Sequence, residues 1–212
     1  MNTRDYKQTG VGEIYHIYNR GNFKNNIFIN REDYQFFLLR LRQNLFPETY
    51  EKNRYYRIQP LPSGSFTLLA YCLMPNHFHL LIKQNNEIPP SKLILKLCTS
   101  YSKYSNKKYK HVGHVFQDRF RQIIVDDNDY LTWLAAYIHL NPKVAGLIKN
   151  SAEYIWSSYP AYLNSQSDLC DTALIGNQFK NIQDFKEFTE SSYEIIKSKK
   201  DMEDLLLDKG DF

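Results

Sequence analysis

The chain is predicted to fold as an α+β protein, with one antiparallel sheet and helices packed against it. Three observations predict this. Four β-branched or aromatic runs, Val11–Asn19, Ser65–Met74, His77–Lys83 and Phe120–Val125, read as strands. Apolar residues at helical spacing appear between the first and second runs, between the third and fourth, and after the fourth. The second and third runs are separated only by Pro75-Asn76, a tight-turn dipeptide. The resulting order, β-α-β-β-α-β-α, is that of a ferredoxin-like split βαβ core with one extra C-terminal helix. Helices would cover one face of its antiparallel sheet and leave the other open.

Each element has its own local signal. Arg20-Gly21-Asn22 ends the first strand. Asn30 is an N-cap for a helix to about Phe46, whose apolar stripe is Phe36, Phe37, Leu41 and Leu45. Pro47 to Arg57 is a polar loop. Pro89-Pro90-Ser91 reads as a stop followed by an N-cap, and Lys92 to about Asn106 has helical spacing through Leu93, Leu97, Tyr101 and Tyr104. The acidic cluster Asp126–Asp129 suits a helix start, and Pro142 should break the helix that runs from about Tyr130 to Leu140. Beyond residue 165 the pattern weakens, with at most a peripheral helix over Asp184–Leu207. The expected organisation is a domain over residues 1–164 and an acidic appendage over residues 165–212.

Composition narrows the function classes. The 212 residues suffice for one sizeable core, and 8 Gly, 8 Pro and no repeat exclude fibrous and solenoid architectures. No apolar run approaches the ~20 residues of a membrane helix. Met1 to Gly10 is polar, without a signal-peptide hydrophobic stretch. Three widely spaced cysteines, Cys72, Cys98 and Cys170, read as free thiols of a reducing, cytoplasmic compartment. The net charge of +4 is uneven, with +9 over residues 1–164 and −5 over residues 165–212. Residues 91–125 carry eight bases against the single acid Asp118, with Tyr101, Tyr104, Tyr109, Phe116 and Phe120 interleaved. Such a stretch attracts a phosphate backbone and offers rings to unpaired bases, or else is a solvated helix face.

The sharpest local feature is Asn76-His77-Phe78-His79-Leu80-Leu81-Ile82. On a strand, residues i and i+2 share a face, so His77 and His79 project together while Phe78, Leu80 and Ile82 enter the core. Two imidazoles on a rigid strand make half of a metal site. In the last helix Tyr137 and Asn141 are i and i+4 and share a face, whereas His139 lies about 200° around from Tyr137. The Asn141 amide oxygen is a hard ligand. A His–His–Asn set leaves positions open on an octahedral ion, which suits Mg²⁺ or Mn²⁺ holding phosphate oxygens better than structural zinc. His111, His114 and His139 have no partner at ligand spacing and read as structural.

Five motifs then match a known family in its own order: YHIYNRGN (Tyr15–Asn22), YCLMPNHFHLLI (Tyr71–Ile82), GHVFQDRF (Gly113–Phe120), YIHLNPKVAGL (Tyr137–Leu147) and WSSYPAYL (Trp156–Leu163). The sequence resembles the single-tyrosine HUH transposases, and within them the REP-associated tyrosine transposases. The resemblance implies that Tyr137, on the extra helix, is the nucleophile. It implies that His77, His79 and Asn141 hold Mg²⁺ or Mn²⁺, Asn141 standing where simpler relatives carry Gln. It implies a single-stranded DNA substrate with hairpin structure, cut through a 5′-phosphotyrosine link and rejoined by a 3′-OH, in the cytoplasm at the nucleoid. Relatives include dimers that exchange the tyrosine helix, so monomer and homodimer both stay open. Arg20 and Gly21 would bring a guanidinium and bare backbone to a base edge, although Gly21 serves equally to turn the chain. Lys103, Lys107, Lys108, Arg119 and Arg121 would track phosphates. The alternatives are a non-catalytic nucleic-acid-binding module on the same fold and a metal-dependent phosphoesterase using water in place of Tyr137.

Overall fold

The computed structural model describes residues 9–49, 61–164 and 166–199. Its strands are β1 (Ile14–Arg20), β2 (Phe66–Met74), β3 (His77–Gln84) and β4 (Arg121–Val125); its helices are α1 (Arg31–Leu45), α2 (Pro90–Tyr109), α3 (Asn128–Val144), α4 (Tyr159–Asn164), α5 (Ala173–Gly176) and α6 (Ile182–Ser191). The order along the chain up to α3 is the predicted β-α-β-β-α-β-α. The four strands form one antiparallel sheet in the order β2-β3-β1-β4, so β3 and β1 occupy its centre. That is the split βαβ arrangement: a strand inserts between the two that each crossover helix connects.

Local chemistry explains the helix ends. Asn30 caps α1 in a reciprocal capping box, its side chain accepting from the Asp33 N–H while the Asp33 carboxylate accepts from the Asn30 N–H. The predicted Ser91 cap of α2 moves back two residues. Pro89 is the N-cap and Pro90 the first helical residue, where its missing N–H leaves nothing unsatisfied. Pro142 does not break α3, which runs on to Val144. The ring comes one turn from the end, and the chain then leaves through a left-handed Gly146, with Leu147 N–H donating to Pro142 O and Gly146 N–H to Lys143 O.

The expectation of an open second face is overturned. Tyr15, Ile17, Leu68, Phe78, Leu80 and Ile82 point to α1 and α2 and build the first core. Leu69, Ala70, Cys72, Met74, Leu81 and Val125 point the other way and are buried with Leu131, Leu134, Ala135 and Ile138 of α3. A register shift between Leu68 and Ala70 turns Ala70 to this second face beside Leu69. The residues 166–199 belong to this packing: Ile175 and Phe185 are buried in the second core and Leu169 and Cys170 in the first. The described part of the acidic segment, residues 166–199, therefore packs against both cores. The part of the predicted tail helix beyond residue 199 lies outside the described residues, as do residues 50–57 of the predicted loop.

The WSSY segment runs along β2. Trp156 O accepts from Leu73 N–H, and Ser158 N–H donates to Tyr71 O. This covers the exposed edge of the sheet. Ser158 Oγ also lies 2.9 Å from His139 Nε2 on α3. His139 is fully buried and stacked on Tyr159, and burial lowers its pKa to about 3. It is the structural histidine that the sequence suggested.

Candidate active site

The candidate site lies on the second face, between the sheet and α3. Strand pleating puts His77, His79 and Leu81 of β3 on that face. Across the strand pair Arg20 stands opposite His77, Tyr18 opposite His79 and His16 opposite Leu81. On the next strand over, Arg121 of β4 stands opposite Tyr18, so one cross-strand row reads Cys72, His79, Tyr18, Arg121. His77 and His79 have ring centroids 5.0 Å apart at nearly perpendicular planes. His77 Nδ1 lies 2.6 Å from Asn76 Oδ1 in the turn before it.

Helix α3 brings Tyr137 and Asn141 to the histidines. Asp127 starts it, accepting from Tyr130 N–H at 2.7 Å, and Leu131, Leu134, Ala135 and Ile138 fix its rotation on the sheet. Tyr137 is left half-buried, its ring 5.6 Å from that of His79 and edge-on to it at 86°. One turn later Asn141 is 2% exposed, with Nδ2 3.4 Å from His79 Nε2. The Asn141 Oδ1 is buried with no hydrogen-bond partner. A buried carbonyl oxygen left unpaired costs about 1–3 kcal/mol, and a cation at the His79 Nε2 end of the amide would remove that cost. In the structure Nδ2 is the end that faces His79, and a half-turn of the amide would present Oδ1 to a cation there. Two imidazoles and an amide oxygen suit a divalent metal with open coordination positions. Among the described residues no three His, Cys, Asp or Glu group as metal ligands, so this fit depends on Asn141.

Sequence reasoning missed His16. Its Nε2 lies 2.9 Å from His79 Nδ1, and both residues are only 5% exposed. Burial lowers the His16 pKa to about 4, so the ring is neutral at physiological pH. Its only sequence signal is period two: His16, Tyr18 and Arg20 share a face of β1, as His77 and His79 share one of β3.

The residues expected to contact DNA divide. Arg20 and Arg121 lie on the face of the histidines, and Arg119 and Arg121 are exposed. Lys103 and Lys107 are exposed on α2, across the sheet. Lys108 is engaged inside the protein. Its ammonium is 2.8 Å from Asp33 and 2.9 Å from Glu32, and it lies over the rings of Tyr104 and Tyr109. Lys108 therefore ties α2 to the start of α1, and its charge is already matched. Gly21 has a structural role of its own. Its N–H donates to Asn76 O, and a Cβ there would collide with the Asn25 carbonyl and with Ile27. Glycine is needed so that the chain after β1 can pack against the turn before His77.

Comparison with known proteins gives the family and the fold. The signature of the family described as transposase, IS200-like, matches residues 34–141. Among solved structures, the chain is similar to a REP-associated tyrosine transposase bound to a REP hairpin, with a TM-score of 0.57 and 12% identity, over 79% of this chain and 94% of that one. It is also similar to a protein described as a transposase from Deinococcus radiodurans, with a TM-score of 0.40 and 12% identity, over 60% of this chain and 90% of that one. No curated protein matches the chain. The family signature runs over half of the sequence, from the first turn of α1 to Asn141, and the chain belongs to the IS200-like transposase family.

Proposed function

We propose that the protein cleaves and rejoins single-stranded DNA next to hairpins, with Tyr137 as the nucleophile. The observation that carries this reading is the meeting of Tyr137, His79 and Asn141, at 5.6 Å between rings and 3.4 Å between side-chain nitrogens. The bound hairpin of the REP-associated relative supports the choice of substrate.

His77, His79 and Asn141 would hold Mg²⁺ or Mn²⁺. When bound, such an ion withdraws charge from the scissile phosphate, which is typically worth several kcal/mol. The chain's own groups do the rest. Tyr137 is presented on a rigid, buried helix and half-exposed, so its Oη can reach a phosphodiester without a loop closing first. Its attack forms an Oη–P bond and breaks the bond from phosphorus to the 3′-oxygen. The proton leaving Tyr137 balances the one gained by the 3′-hydroxyl. The 5′-phosphotyrosine link keeps the energy of the broken ester, so a second 3′-OH can reverse the step without ATP. Arg20 and Arg121, on the same face, would meet the phosphates flanking the cut. One chain supplies all four site groups, so a helix exchanged from a second copy is not required. This work would take place at the nucleoid in the cytoplasm.

The test is product analysis with hairpin-bearing single-stranded DNA and Mn²⁺. The proposal predicts protein fixed to the 5′ end of the downstream fragment and an upstream fragment ending in 3′-OH. Free 5′-phosphates in multiple turnovers with no adduct would contradict it and assign the attack to water.

A further inference from the structure

We propose that His16 is a positioning residue that sets the tautomer of His79, keeping a proton on His79 Nδ1 and leaving Nε2 as a lone pair directed at Asn141. The inference rests on the proposed role of His79, but its central observable exists without any metal.

Two imidazoles joined nitrogen to nitrogen share one proton, which one ring donates and the other accepts. The contact is His16 Nε2 to His79 Nδ1 at 2.9 Å, with rings nearly parallel at 18°. Both rings are buried, so water is a poor competitor for either nitrogen. The direction of the proton follows from the far side of His79. Asn141 Nδ2 is 3.4 Å from His79 Nε2, and an amide NH₂ can only donate. His79 Nε2 is then the acceptor, the His79 proton sits on Nδ1, and His16 Nε2 accepts it.

The acceptor is held rigidly. His16 lies on central strand β1, paired to Leu81 on one side and Ile123 on the other. Its sequence neighbours Tyr15 and Ile17 are buried in the opposite core at 1% and 0% exposure. A slip of one residue would exchange them with His16, so register and core together fix the ring. His16 sits diagonally behind His79, and its Nε2 is engaged by His79, which makes it a support for that ring rather than a ligand. Such supports fix ring orientation and basicity, and their loss typically lowers metal affinity 10–100-fold.

The test uses the full chain with ¹⁵N-labelled histidine, first with chelator present. The expected wild-type signature for His79 is a protonated Nδ1 and an unprotonated Nε2. His16→Gln keeps an acceptor oxygen and should preserve that signature. His16→Leu removes the acceptor and should move the His79 proton toward Nε2. In Mn²⁺ titrations His16→Leu should then bind about 10–100-fold more weakly, with His16→Gln closer to wild type. A wild-type His79 protonated on Nε2, or a tautomer unmoved by His16→Leu, overturns the proposal. Should His16→Leu fail to fold, the wild-type signature and its retention in His16→Gln decide it. If the tautomers behave as stated and wild type takes up no Mn²⁺, the positioning role stands and the metal reading fails.

Discussion

Arg20 stands directly opposite His77 across the β1–β3 pair, and its guanidinium Nε is buried without a hydrogen-bond partner. A guanidinium is always charged, and a buried charge normally has a partner. In the proposed function that partner is a phosphate oxygen beside the histidines. Arg20→Gln should weaken single-stranded DNA binding and flatten its salt dependence by about 0.7 in the log–log slope for the one lost phosphate contact. Fluorescence anisotropy from low to high salt measures this, and an unchanged slope contradicts it.

Lys108 should matter to stability and not to DNA. Asp33 is fully buried and accepts from Lys108, from Tyr109 and from the N–H groups of Ile29 and Asn30. Burial works to raise the Asp33 pKa, but these hydrogen bonds outweigh it and leave the carboxyl below its usual value. A carboxyl with a lowered folded-state pKa contributes stability above its unfolded pKa, and that contribution is lost as pH falls through the folded value. Asp33→Asn should therefore destabilise by about 1–3 kcal/mol at neutral pH, with the difference shrinking below about pH 4. Urea denaturation across that range tests the sign. Lys108→Met should lose stability with DNA affinity unchanged, and a double Lys103→Met, Lys107→Met variant should do the reverse.

The acidic segment should hold α3 in place. Phe185 of α6 is 2% exposed and packs against His139, Tyr162 and Phe179, while Glu190 pairs with Lys143 of α3 at 2.6 Å. Phe185→Ala should destabilise the protein by about 3–5 kcal/mol. If Phe185→Ala unfolds at the wild-type midpoint, the segment does not hold α3 in place.

Asn141→Leu should separate binding from chemistry. It removes the amide oxygen while keeping the buried volume, so Mn²⁺ affinity and adduct formation should fall together by at least about tenfold. Single-stranded DNA affinity with chelator present should stay near wild type. Equal Mn²⁺ affinity in the variant and wild type would remove Asn141 from the ligand set.

Much of the arrangement was legible where a local rule controls it. The HFH alternation gave the shared face of His77 and His79, i, i+4 spacing gave that of Tyr137 and Asn141, and Asn30 and Asp33 form the predicted cap. Two features needed the tertiary structure. The His16–His79 contact joins residues 63 apart and depends on strand register. Lys108 sits one turn after Tyr104 on the stripe facing α1, while Lys103 and Lys107 turn outward. The covered second face was signalled by β2 itself, since FTLLAYCLM is nearly continuous in apolar residues, as a strand buried on both sides should be.

The most direct measurement digests the covalent protein–DNA product formed with hairpin-bearing single-stranded DNA and maps the nucleotide-bearing peptide by mass spectrometry. The account predicts the nucleotide on Tyr137, with no adduct from Tyr137→Phe despite near wild-type DNA binding. Attachment at another tyrosine, or an undiminished adduct from Tyr137→Phe, would contradict it.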